Sequence, residues 1–260
     1  MKISEWLSEL KSRNPLLYAG GLANLIVIVP CFILFFSDDR TVTGINAWIK
    51  PIKFLISVAI YLWTFGWLLH YVKNQRIKMF ISWGILICMV VENVLVIMQA
   101  ARGVPSHFNI HSAFDGMVFG IMGMFIGINT FLIFYTLVLF FTKAVSSPPN
   151  MLIAWRVGLL LFLVGGISGG LMVTHLSHTY GASDGGPGLP LLNWSTVAGD
   201  IRSAHFITLH GLQVIPLFAW FISKKTSHST WATLSFFIFY SLICIALHMI
   251  ALSGRPLISI

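Results

Sequence analysis

Seven long apolar stretches narrow what this chain can fold into. They cover about 15–36, 51–72, 79–101, 105–141, 151–174, 200–222 and 232–252. Each approaches or exceeds the roughly 20 residues a helix needs to cross a bilayer core. Backbone in hydrocarbon must satisfy its own hydrogen bonds, so these stretches are predicted to be helices. Only 9% of the 260 residues are charged, against about 25% in a soluble domain. The expected fold is all-α: a polytopic membrane protein in which 15–260 form a single seven-helix transmembrane domain. The formal charge of +8 then bears on orientation in the bilayer, not on nucleic acid.

Residues 1–14 are polar, but Ile3, Trp6, Leu7 and Leu10 recur at helical spacing. An amphipathic helix lying at the interface is expected there. No small-residue cleavage site follows, so this segment is expected to be retained. Cys31, Cys88 and Cys244 lie inside apolar runs and are expected to be buried thiols.

Basic residues set the orientation. Lys2, Lys11, Arg13, Lys73, Arg76, Lys78, Lys143, Lys224 and Lys225 fall at the ends on the N-terminal side. The opposite ends carry Arg40, Lys50, Lys53, Arg102, Arg202 and Arg255, diluted by Asp38, Asp39, Asp184 and Asp200. The N-terminus is therefore expected in the cytoplasm and the C-terminus on the exoplasmic side. Seven of the nine histidines then lie toward the exoplasm, with only His70 and His228 toward the cytoplasm.

Against this apolar background the stretch 199–216 stands out. On a helical wheel, Arg202, Ser203, His205, His210, Gln213 and Pro216 occupy an arc of roughly 160°. Ionisable groups in a span normally face the protein interior or a wet cavity. Hydrogen bonding between helices is the structural alternative. Glu92 and Gln99, seven residues apart in the third span, share a face. Glu92 is the deepest acid, suited to proton handling, with His210 and Arg102 as candidate partners. Arg102, Arg202, Gln99 and Gln213 are candidates to hold a substrate. The expected picture is a polar, histidine-rich cavity that opens to the exoplasm.

His107-x3-His111-x3-Asp115 has the most metal-like spacing in the chain, provided it is helical. Asp115 then either ligates or orients His111. His205 and His210 are five residues apart, so their rings diverge by about 140° and one metal is not expected to take both. Each remains a candidate cofactor ligand, and nothing in the spacing selects haem over zinc or copper. Gly116, Gly120, Gly123 and Gly127 would permit close helix packing or a flat ligand. There is no Walker loop, Rossmann fingerprint, HExxH, GxSxG or CxxCH.

Three segments taken together, Gly44-Ile-Asn-Ala-Trp-Ile-Lys-Pro-Ile-Lys-Phe54, Gln99-Ala-Ala-Arg-Gly-Val-Pro-Ser-His-Phe-Asn109 and Asp200-Ile-Arg-Ser-Ala-His-Phe-Ile-Thr-Leu-His210, resemble an uncharacterised family of bacterial seven-helix membrane proteins. The resemblance implies a bacterial inner-membrane location and no particular activity. The chain is also similar in span count to seven-helix zinc hydrolases of the alkaline ceramidase and adiponectin-receptor type. Ser106, His107 and Asp115 offer a matching cluster, but the last span has only His248 where those proteins carry HxxxH. Two functional classes follow. One is a transition-metal or haem site supporting redox or hydrolytic chemistry. The other is a proton- or solute-coupled transporter, channel or receptor that takes a small molecule or ion from the exoplasmic side without a metal.

Overall fold

The computed structural model describes residues 3–259 and is built from helices. They are α1 (Ile3–Arg13), α2 (Pro15–Ser37), α3 (Ile49–Leu69), α4 (Gln75–Arg102), α5 (Ala113–Leu139), α6 (Pro149–His175), α7 (Ile201–Ser223) and α8 (Ser229–Leu252). Seven of the eight, α2 to α8, are long and apolar enough to cross a membrane. Their surface agrees with lipid contact: Ile26, Val29, Ile33 and Phe36 on α2 are each 60–70% exposed, a continuous apolar face that water would penalise. Two short ribbons complete the chain. Strands β1 (Thr41–Val42) and β2 (Ile45–Asn46) pair across Thr43-Gly44, and β3 (Thr179–Tyr180) pairs with β4 (Gly199–Asp200). Thr43 and Gly44 both have positive φ (48° and 82°), the backbone a two-residue hairpin turn requires.

The chain divides into two compact units, one of residues 1–132 and 144–146, the other of 133–143 and 147–260. In the first, α1 ends at Asn14, whose side chain accepts a hydrogen bond from the Leu17 N–H and so caps α2. Pro15 follows in the first turn, where no amide is needed. The apolar face of α1 is packed: Trp6 stacks on Trp67 at 5.6 Å and meets Trp63 edge-on at 5.9 Å. The guanidinium of Arg13 lies 4.1 Å from the centre of the Trp67 ring. Asn74 caps α4 at its start, and Gly103, with φ of 72°, closes it.

In the second unit, Asn150 joins three helices. Its Nδ2 donates to the Ala219 carbonyl and its Oδ1 accepts from Thr233. All three cysteines are free and buried, as expected.

Two expectations are corrected. Helix α5 starts at Ala113, not near Pro105. Phe108 sits in the left-handed region at φ 59°, which a helix cannot absorb. Ser112 instead opens α5: its Oγ accepts from the Asp115 N–H and donates to the Asp115 carboxylate, a variant of the capping box. Second, the four glycines of α5 do not mark a packed face. Among the described residues, no atom lies within 4 Å of where a Cβ would stand at Gly116, Gly120, Gly123 or Gly127.

Candidate functional site

Glu92 faces the interior of the first unit and has no exposed surface. Among the described residues, neither of its carboxylate oxygens has a hydrogen-bond partner. A charge on Glu92 would therefore need a donor or water to arrive, because an uncompensated buried carboxylate costs several kcal/mol. Of the two expected partners, Arg102 donates to Gln99 Oε1 and Asp115 Oδ1, at 2.5 Å each. His210 Nδ1 lies 3.2 Å from Gln213 Oε1.

Two helical turns from Glu92, about 10 Å along α4, Gln99 begins a polar cluster at the end of the helix. Gln99 Nε2 donates to Asp115 Oδ1 at 3.1 Å, and Ser112 donates to Asp115 Oδ2 at 2.6 Å. The Asp115 side chain is 8% exposed and that of Arg102 is 37% exposed, so the cluster reaches from the interior to the surface. Val96, which falls between Glu92 and Gln99 on α4, is buried in an apolar cluster with Val118 and Met122, and Phe54, Leu95 and Met98 pack against it. Tyr61 donates to Asn129 Oδ1 at 2.8 Å, and Asn93 donates to Asn24 Oδ1 at 2.7 Å.

His107 and His111 lie in the loop before α5, not on a shared helical face with Asp115. His107 Nδ1 is 3.0 Å from Ser106 Oγ and 3.3 Å from Lys50 Nζ. His111 is exposed, and its backbone N–H turns toward Asn109. The helical ladder on which the metal expectation rested is therefore not formed. Among the described residues, no group of three or more His, Cys, Asp or Glu side chains is arranged to hold a metal ion.

The polar face of α7 resolves into local ties within the second unit. Arg202 binds the Asp200 carboxylate at 2.5 Å and also donates to the Asn193 carbonyl. Ser203 donates to the Asp200 carbonyl. His205 Nδ1 lies 2.8 Å from the Gly165 carbonyl. A carbonyl only accepts, so this nitrogen carries a proton.

The loop after α6 is organised by Asp184. Its carboxylate accepts from the N–H groups of His178 and Thr179, from the hydroxyls of Ser177 and Thr179, and from His178 Nδ1 at 2.5 Å. Burial opposes ionisation, but these donors outweigh it and hold the carboxyl well below the usual range. A depressed carboxyl stabilises the fold above its unfolded-state pKa of about 3.9 and loses that contribution as pH falls below it. The loss begins near pH 4 and is complete only as pH falls through the lowered folded-state value, so strong acid, well below about pH 4, is expected to expose 181–192 to an acid-active protease. Asp184→Asn should show the same cleavage at neutral pH. Equal resistance of the variant at neutral pH would show that the loop is held by other contacts.

Sequence reasoning passed over Asn24 and Asn129, although a single Asn in an otherwise apolar span is a visible signal. The fold and this chemistry define a multi-pass helical membrane protein with an acid inside one of its spans that has no hydrogen-bond partner among the described residues. Compared with known proteins, the chain matches no family model, no curated protein and no solved structure.

Proposed function

We propose that this protein is a proton-coupled transporter of the bacterial inner membrane, in which Glu92 takes up and releases the proton. The observation that carries this reading is the fully buried Glu92 carboxyl, which has no hydrogen-bond partner among the described residues. An intramembrane acid in such a place marks an ion or proton pathway by default. The buried apolar cluster around Val96, which falls between Glu92 and Gln99 on α4, favours a carrier over an open channel, because protons do not cross dry hydrocarbon without a rearrangement. The basic ends at Arg13, Lys73, Arg76 and Lys78 favour the cytoplasm, so the Gln99–Arg102–Asp115 cluster would face the exoplasm and admit the proton and its solute.

The test uses purified protein in liposomes with an internal pH dye. A potassium-diffusion potential should drive proton entry, and Glu92→Gln should slow it by a factor on the order of a hundred. Infrared spectra should show a carboxylic-acid C=O band that shifts in heavy water and is missing from Glu92→Gln. Equal proton entry in the variant, or a wild-type protein without that band, would overturn the proposal.

A further inference from the structure

A serine and a histidine in the second unit form a pair whose proton positions are determined by their neighbours. Ser168 Oγ lies 2.6 Å from His248 Nε2. His248 Nδ1 lies 2.7 Å from the Cys244 carbonyl. That carbonyl can only accept, so Nδ1 carries a proton, and in the neutral ring Nε2 presents its lone pair. In that form the Ser168 hydroxyl is the donor to Nε2. A serine hydroxyl aimed at an imidazole base, whose far nitrogen is held by a third group, is the arrangement that activates a nucleophile.

The surroundings add an apolar binding surface. A hollow of about 230 Å³ is lined by Ser168 and His248 with Val164, Ile167, Leu171 and Met249. A neighbouring hollow of about 250 Å³ shares Val164, Ile245 and His248 and continues along α8 past Cys244 to Ser241. From Ser241 to His248 is seven residues, or about 10 Å of helix. Ile167, Ile245 and Met249 are each more than half exposed on the apolar exterior, so a chain in the bilayer reaches the hollows without crossing water. Ser241 supplies an independent sign. Its buried hydroxyl has no partner among the described residues, whereas Thr64, Thr130, Thr208 and Thr233 each bond the carbonyl four residues back.

We propose that Ser168 and His248 are a nucleophile–base pair that cleaves the acyl ester of a membrane lipid, with the acyl chain lying in the two hollows. Ser168 Oγ attacks the ester carbonyl carbon as its proton passes to His248 Nε2. The ester C–O bond breaks, and the departing alkoxide takes that proton and leaves as an alcohol. Water then attacks acyl-Ser168, giving a proton to Nε2. The acyl–Oγ bond breaks, the fatty acid departs, and the proton returns to Oγ. Nδ1–H stays on the Cys244 carbonyl throughout and holds the ring in place. This site is separate from Glu92, and neither proposal rests on the other.

The experiment treats the full-length protein, in membranes, with fluorophosphonates that carry either a decyl or a methyl chain. Mass spectrometry should find one adduct, on Ser168. The decyl probe should react on the order of tenfold faster or more, since each buried methylene adds several-fold to binding. Ser168→Ala should remove the adduct. His248→Gln, which still offers a hydrogen-bonding atom but no base, should slow labelling at least about a hundredfold. Protection of Cys244 from a thiol reagent confirms that each variant is folded. An unlabelled wild type, or labelling that survives His248→Gln, would overturn the pair as reactive and leave a bond between two helices. Faster labelling by the methyl probe would overturn the lipid as substrate.

Discussion

Glu92→Met is expected to make the first unit more stable while abolishing proton movement. The wild-type carboxyl is wholly buried, and neither oxygen has a hydrogen-bond partner among the described residues. Leaving buried polar atoms unsatisfied costs about 1–3 kcal/mol. Methionine fills a similar volume, is flexible enough to fit irregular gaps, and has no polar group of comparable demand. The expected gain is therefore about 1–3 kcal/mol. Glu92→Gln keeps the shape and two polar atoms, so it should lose proton transfer without gaining stability. Cys88, one turn away on α4 and 2% exposed, provides the readout. The temperature at which a thiol reagent reaches it should rise in Glu92→Met and stay near wild type in Glu92→Gln. A lower temperature for Glu92→Met would mean that the carboxyl is a structural group with partners the fold depends on, and the proton-handling role would lose its main support.

Gly199→Val is expected to unfold much of the second unit, and Gly199→Ala to weaken it severely. A Cβ at Gly199 would stand 1.9 Å from the Ala251 carbonyl oxygen, 2.8 Å from its carbon and 3.0 Å from Gly254 Cα. All three are backbone atoms, so no rotamer change relieves the clash. Either β4 lifts from the end of α8, or α8 shifts. Overpacking of this kind costs about 1–3 kcal/mol and sometimes more, and the branched valine adds to it. Cys244 on α8, 4% exposed, should become reactive at lower temperature in the alanine variant and at all temperatures in the valine variant. Unchanged protection would show that the ribbon can separate from α8 without consequence.

Much of the architecture was legible because bilayer crossing demands long apolar segments whose backbone bonds are internal. The spans and the buried thiols follow from that rule alone. The start of α5 was misjudged for a local reason. Ser112-Ala-Phe-Asp115 is a helix-opening signal, and it was outweighed by apolar residues upstream that belong to a loop turned by Phe108. Glycines at 116, 120, 123 and 127 recur on one face, but a repeat in the sequence cannot say whether a neighbour comes to meet it.

Pairing was the part that sequence could not supply. Arg102 and Glu92 lie ten residues apart on one helix, yet Arg102 is bound by Gln99 and by Asp115 from the next helix. Ser168 and His248 are eighty positions apart, and only the packing of α6 against α8 brings their side chains to 2.6 Å. Sequence by itself determined that this chain lives in a membrane and which residues would be costly there, because transfer into hydrocarbon depends on composition over one segment. Tertiary structure alone decided which of those groups are satisfied, as Asp115 and Asp184 are, and which has no partner among the described residues, as is true of Glu92. A hydrogen bond between helices depends on a few ångströms of approach, and no single helix contains that information.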